Sequence, residues 1–395
     1  MRIAADVVLI VAGAAVTVAA LLSAVRSMIL PRGVPSRLAR TVFILTRLLF
    51  WLRLGRAASY ERRDRIMSMY APIGLLALLG SWLVSTVIGF TAIYLGLGVR
   101  PLRTAFELSG SSVFTLGTTT SPHLVPAVLT YGEAGLGLLL LTLLITYLPS
   151  IYTAFSRREL TVTMLEVRAG SPPSAVELLI RHHRIEKTER LRELWQQWEG
   201  WFVDIEETHT SLAALAVFRS PQPDHSWVTA GGTILDAAAL RISAIEGPRE
   251  PDAELCLRAG YLALRRIASY FRLPFDPAPQ PDDPITITRA EFDQACDTMA
   301  EAGMAMKPDR DGAWKAFSGW RVNYDTVLLN LARFVEAPIA PWTSDRSPMY
   351  DHMTWTFRNM VRGRYSTSRY RRFRAGHDAA RSPADNRGDQ GASAV

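Results

Sequence analysis

The chain has 395 residues, 49% of them hydrophobic and 21% charged, with 44 Lys and Arg against 37 Asp and Glu and a formal net charge of +7. That length admits two domains, or a membrane part joined to a soluble part. The two cysteines, Cys256 and Cys296, argue against a disulfide framework, and the excess of Arg over Lys does not by itself indicate a nucleic-acid partner.

Almost all of the apolar excess falls in the first 156 residues. Val7 to Val25 is free of charge, lies between Asp6 and Arg26, and is long enough to span a bilayer. A cleaved signal peptide is the rival reading, but its apolar run would be about 7–15 residues and its basic residues would come first. Ile66 to Val99 is uncharged throughout, and Ala134 to Ser156 is a third apolar run, stopped by Arg157 and Arg158.

Between the first two runs, residues 31 to 65 carry nine arginines against Glu61 and Asp64. The positive-inside tendency places this linker in the cytoplasm, and the Arg157–Arg158 pair after the third run agrees. Within the linker, Thr41 to Leu54 is apolar but interrupted by Arg47 and Arg53, the pattern of an amphipathic helix on the inner leaflet. A voltage sensor would need regularly spaced arginines through a span, and here the spacing is irregular.

Alternation then puts residues 100 to 133 outside. Within them, Thr104 to Phe114 has a short helical pattern, followed by "TLGTTT", and Ser109 to Gly132 has no charged side chain. Exposed loops normally carry charge. A polar segment at membrane depth is tolerated where it lines a cavity, and threonine hydroxyls and backbone carbonyls can replace an ion's hydration shell. The bland alternative is an ordinary exposed linker. Glu107 can pair with Arg103 or brace the loop from behind, Glu133 is expected at the outer mouth, and Pro149 near the inner end of the third run is a candidate hinge.

The order of helix, short helix, "SSVFTLGTTTSPHLVP" and helix resembles the pore domain of the two-helix, tetrameric potassium channel superfamily, over about residues 66 to 170. By that resemblance Thr115, Leu116 and Gly117 match the start of the selectivity filter, flanked by Ser112 at the end of the pore helix. Thr118 stands where the family has an aromatic, Thr119 where it has a second glycine and Thr120 where it has an acidic residue. The resemblance implies a homotetramer in the plasma membrane with a re-entrant filter. It would conduct a monovalent cation, potassium by analogy, with no other cofactor. The three departures leave the choice among monovalent cations open.

After "SRREL" the sequence continues helically to Gly170, where "SPPS" marks a boundary. Helical periodicity runs through Ala175–Val217, Trp227–Ile245, Ala253–Phe271, Arg289–Met304 and Gly312–Val335, joined by proline-rich segments. Thr288 with Glu291 makes a capping box, and Trp195, Trp198 and Trp201 read as a core stripe. His182, His183, Glu186, His209 and His225 lack the spacing of a metal site. "PDRDG" at 308–312 is too short for a calcium loop. No nucleophile and base can be paired, so an enzyme is not expected.

The whole is expected to be an all-α membrane protein with three transmembrane helices, a re-entrant pore helix and filter loop, and a helical cytoplasmic domain. Its segments are a first span (1–30), a basic linker with an interfacial helix (31–65), a pore domain (66–170), the helical domain (171–345) and a basic, disordered tail (346–395). Anionic lipid headgroups are the expected partners of linker and tail, whose arginines outnumber acidic residues; nucleic acid is not expected. A second reading keeps the membrane anchor but assigns the work to the helical domain, as a sensor or scaffold with a non-conducting pore-like region.

Overall fold

A computed structural model describes residues 2–30, 36–54, 60–185 and 189–346. Among them the only regular structure is helical, apart from one isolated bridge between Ile245 and Met306. Three helices are long and apolar enough to cross a membrane. They are α1 (Arg2–Met28), α4 (Tyr70–Gly96, continuous in span with α3, Tyr60–Met67) and α6 (Leu124–Ala169). Between them lie α2 (Arg37–Leu54) and α5 (Leu102–Val113).

α1 and α4 pack along much of their length because small residues meet. A Cβ on Gly13 would lie 2.3 Å from the Gly89 carbonyl oxygen, and one on Gly96 would lie 2.6 Å from that of Asp6. Such stripes let helix backbones approach where no hydrophobic effect drives them together. Lower down, Trp82 Nε1 donates to Ser23 Oγ at 3.0 Å, and Ser23 Oγ lies 2.6 Å from Ser36 Oγ. Ser36 Oγ in turn accepts from Ala39 N at 3.0 Å, capping α2. One face of α2 covers α4, with Phe43 against Gly74 and the Phe43 carbonyl accepting from Tyr70 Oη at 3.1 Å. The face bearing Leu45, Leu49 and Leu52 is exposed.

α6 has 46 residues, about 69 Å at 1.5 Å per residue, and runs from the apolar region into the helical domain. It stops at Gly170, whose φ of +80° suits glycine. The domain that follows comprises α7 (Ala175–Ile185), α8 (Glu189–Ser211), α9 (Trp227–Ser243), α10 (Pro251–Tyr270), α11 (Arg289–Glu301), α12 (Arg310–Arg321) and α13 (Asp325–Val335). The periodic run 175–217 resolves into α7, α8 and a 3-10 turn at Ala213–Val217, and the run 312–335 breaks between α12 and α13. α9 is buried along almost its whole length. Trp195, Trp198 and Trp201 belong to the core, as the stripe predicts. The Thr288–Glu291 capping box forms, and Arg346 pairs with Glu291 at 2.5 Å. The folded domain therefore extends through Arg346, where the sequence predicts a tail, and the rest of that tail lies outside the described residues.

Beneath α9 a buried cluster fixes α12 and α13. Arg321 donates to Asp236 and, through Nε, to Asp325 Oδ1 at 2.9 Å; its Nη2 reaches the Trp342 carbonyl at 2.6 Å. Tyr324 Oη completes the set by donating to Asp236 at 2.9 Å. Burial pushes the Asp236 carboxyl up, and the Arg321 guanidinium opposes it.

Candidate functional site: α5 and the threonine loop

Pro101 precedes α5 with extended backbone, where its missing N–H costs nothing. The buried positions Ala105, Leu108, Ser109 and Ser112 recur at helical spacing, so α5 has one inward face, while Phe106 and Glu107 point outward. That inward face lies between α4 and α6. Leu108 packs against Phe90 and Tyr94, and Ser109 Oγ lies 3.1 Å from the Val87 carbonyl oxygen. Val87 sits ten residues before the end cap Leu97, about 15 Å down the α4 axis, so α5 runs back along α4 toward its middle. The far end of α5 meets α6 at Gly137: a Cβ there would fall 2.2 Å from the Val113 carbonyl oxygen.

The loop leaves α5 through two left-handed residues, Thr115 (φ +54°) and Gly117 (φ +65°), which alternate with Leu116 between them. Such a turn aims successive peptide groups in different directions. Leu116 N donates to the Ser111 carbonyl at 2.8 Å and Thr115 N to that of Ser112 at 3.0 Å, closing the helix end. Ser111 Oγ then accepts from Thr118 N at 3.0 Å and Thr119 N at 3.2 Å. Ser111, a residue the sequence reading does not single out, is therefore the side chain that folds the loop onto its helix. Its signal was present: a buried hydroxyl in the last turn of α5, seven residues before the amide it binds. Ser112 Oγ instead donates back to Leu108 O at 2.9 Å.

In a single chain Thr115, Leu116, Gly117, Thr118 and Thr120 are exposed and Thr119 is half-buried. The five expected filter residues are thus contiguous and presented on one loop. The other expected site residues lie elsewhere. Glu107 is on the outward face, paired with Arg103 Nε at 2.7 Å, and does not brace the loop. Pro149 is exposed in the interior of α6.

Glu133 differs most from expectation. It is fully buried, not at a mouth: its carboxylate accepts from Tyr94 Oη at 2.7 Å and from Ser109 Oγ. It lies on the stripe Glu133–Gly137–Leu140–Leu144 that faces α4 and α5, so the helix spacing carries its side chain inward. Two hydroxyl donors make the buried carboxylate tolerable and tie α6 to α4 and α5 together.

Among the described residues, two buried charged clusters join the helical domain to the apolar region, beside the apolar packing of Leu75, Leu144 and Tyr147 on Ala214 and Leu215. On α6, Arg158 is fully buried and donates to Glu159 at 2.8 Å, to the carbonyls of Leu215 (2.9 Å) and Phe218 (2.8 Å), and to His209 Nε2 at 3.2 Å. Burial, then the Arg158 charge, push the His209 ring well below its ordinary value. The imidazole is neutral, with Nε2 as acceptor. At the second joint, Glu336 pairs with Arg47 of α2 at 2.9 Å and with Arg219, which also binds Asp64 of α3 at 2.6 Å. Burial pushes Glu336 up, but Arg47, Arg219 and Arg63 outweigh it and hold the carboxyl below its usual range.

Among the described residues no group of three His, Cys, Asp or Glu is placed to hold a metal ion. Glu186, the expected surface partner of His182, lies outside the described residues. Asp309 caps α12 by accepting from Gly312 N at 2.8 Å, so "PDRDG" is a helix start. Cys256 and Cys296 are free and buried. No family model, curated protein or solved structure matches this chain.

Proposed function

We propose that the chain is one subunit of a homotetrameric pore-loop channel that passes monovalent cations across a plasma membrane, with the helical domain cytoplasmic and regulatory. The observation that carries this reading is the path of α5 and its loop. A short helix descends between two apolar helices, is fixed from behind by Ser109 and Glu133, and ends in a charge-free Thr/Gly loop with alternating left-handed residues. In this reading the loop is re-entrant, and exposure of residues 115–118 in one chain is relieved by sister copies around a common axis. Four copies are needed because one loop encloses no ion.

The test is cation flux into vesicles containing purified protein, with Gly117→Val as the variant. Valine at φ +65° costs roughly 1–2 kcal/mol of backbone strain, while no neighbouring atom lies within 4 Å of an added Cβ. The change therefore acts on the loop's path and leaves packing within the chain alone. Cation-selective flux that Gly117→Val abolishes or makes unselective supports the proposal. Absence of flux from a particle that stays monomeric overturns it and leaves the anchored sensor or scaffold.

A further inference from the structure

A cavity of about 160 Å³ lies where the C-terminal end of α1, the first turns of α2 and α4 and the middle of α6 meet the helical domain. Its walls are apolar and aromatic, formed by Phe43, Leu75, Leu78, Tyr147 and Phe271. Three arginines line it as well: Arg26 from the end of α1, Arg40 from α2 and Arg272 just after α10. The lining contains no Asp or Glu, and none of these three guanidiniums has a carboxylate partner among the described residues. Arg40 is half-buried and faces Arg272, and burial together with that like charge lowers its affinity for a proton. Next to Arg26, Ser27 also lines the cavity, and its hydroxyl is shielded from solvent without a hydrogen-bond partner among the described residues.

Arg26 and Arg272 are exposed at the rim and only Arg40 is half-buried, so the three guanidiniums form a cationic rim open to an incoming anion, which the shielded Ser27 hydroxyl can also reach. An apolar chamber beneath them asks for a hydrocarbon tail on the same molecule. Arg26 closes the charge-free stretch of α1, so the arginines stand at headgroup level while Leu75, Leu78 and Tyr147 face the acyl region. We infer that this cavity binds one anionic phospholipid of the inner leaflet, its phosphate between Arg40 and Arg272 with Arg26 and Ser27 beside it, and part of an acyl chain in the chamber. The site lies within one subunit and links the apolar helices to the helical domain through a lipid. It depends on the membrane assignment and not on conduction.

The test uses full-length protein in neutral detergent, titrated with phosphatidylglycerol or phosphatidylcholine and read by native mass spectrometry and by the shift in melting temperature. Wild type is expected to retain and be stabilised by phosphatidylglycerol in preference to phosphatidylcholine. Arg40→Gln/Arg272→Gln is expected to weaken that binding about tenfold or more. It removes mutual repulsion, so the fold is retained. Arg53→Gln, on the same helix but away from the cavity, is expected to bind like wild type. Equal binding of the two lipids, no loss in the double variant, or full displacement by inorganic phosphate overturns the inference; the last outcome would make it a site for a soluble anion. Protein that binds phosphatidylglycerol yet carries no ions would keep this site while removing the channel.

Discussion

Gly137→Ala isolates the contact that positions α5. The added methyl carbon would lie 2.2 Å from the Val113 carbonyl oxygen, 3.0 Å from its carbon and 3.3 Å from Cα. All three atoms are backbone, so no side chain can rotate away, and α6 and α5 must separate by about 1 Å to reach ordinary contact. Overpacking of this kind costs about 1–3 kcal/mol. The same helix supplies its own controls: a Cβ on Gly132 or Gly135 meets nothing within 4 Å among the described residues, and alanine there gains up to about 1 kcal/mol of helix propensity. In thermal unfolding of the detergent-solubilised protein, where 1 kcal/mol moves the midpoint of a 150–250-residue body by about 2–4 °C, Gly137→Ala should lower the midpoint. Gly132→Ala and Gly135→Ala should hold or raise it. In the proposed channel the same shift displaces the base of the loop, so flux should fall in Gly137→Ala at a temperature where the protein is folded. A melting midpoint for Gly137→Ala equal to that of Gly135→Ala would refute the close approach of α6 to α5, and with it the geometry from which the pore is argued.

Arg158→Met strands Glu159 and two buried carbonyls, so a loss of about 3–5 kcal/mol is expected. Arg158→Lys should not restore it, because an ammonium cannot reproduce the guanidinium fork; unchanged unfolding midpoints would count against the joint. His209 gives a pH dependence. Its folded value lies below the ordinary 6.5, so below pH 6.5 the unfolded chain binds more protons. Stability is then complete above about pH 6.5 and falls by up to about 1.4 kcal/mol per pH unit beneath it. His209→Gln should remove this slope in melting curves taken between pH 7.5 and 5.5, and a slope that survives would assign the effect to another group.

What was legible in the sequence was local. Charge-free runs mark the three long helices, Gly170 stops α6, and the expected helix 104–114 falls within a residue or two of α5. These features depend on residues a few positions apart, whose spacing the sequence displays directly. The pairings that hold the elements together were not legible. Glu133 is satisfied by Tyr94, 39 positions away, and by Ser109 at 24. Arg47 meets Glu336 across 289 positions, although read alone it marks only the polar edge of an interfacial helix. Arg158 carries the charge that a positive-inside count uses, yet it is fully buried among groups from residues 209 to 218. A charge near a membrane boundary reads the same whether it ends in water or in a hydrogen-bond cage, and only the partner distinguishes the two.

The two joints bear on how a signal would cross the molecule. The helical domain is fastened to α6 at Arg158 and to α2 and α3 at Glu336 and Arg219. Apolar packing of Leu75, Leu144 and Tyr147 on Ala214 and Leu215 lies between these joints, so the domain cannot pivot freely about one of them and a rearrangement that strains one loads the other. Along α6, Pro149 lies nine residues before Arg158, and its missing N–H leaves a gap in the helix ladder between the joint and the stripe that holds α5. That position lacks one ladder hydrogen bond, a local weakness on the path. In the proposed channel, force applied at Arg158 bends α6 at Pro149 before it disturbs Gly137 and Glu133, so the inner end of the pore can move while the loop stays fixed. The lipid cavity lies between the same two joints, which puts its occupant where it would stiffen both.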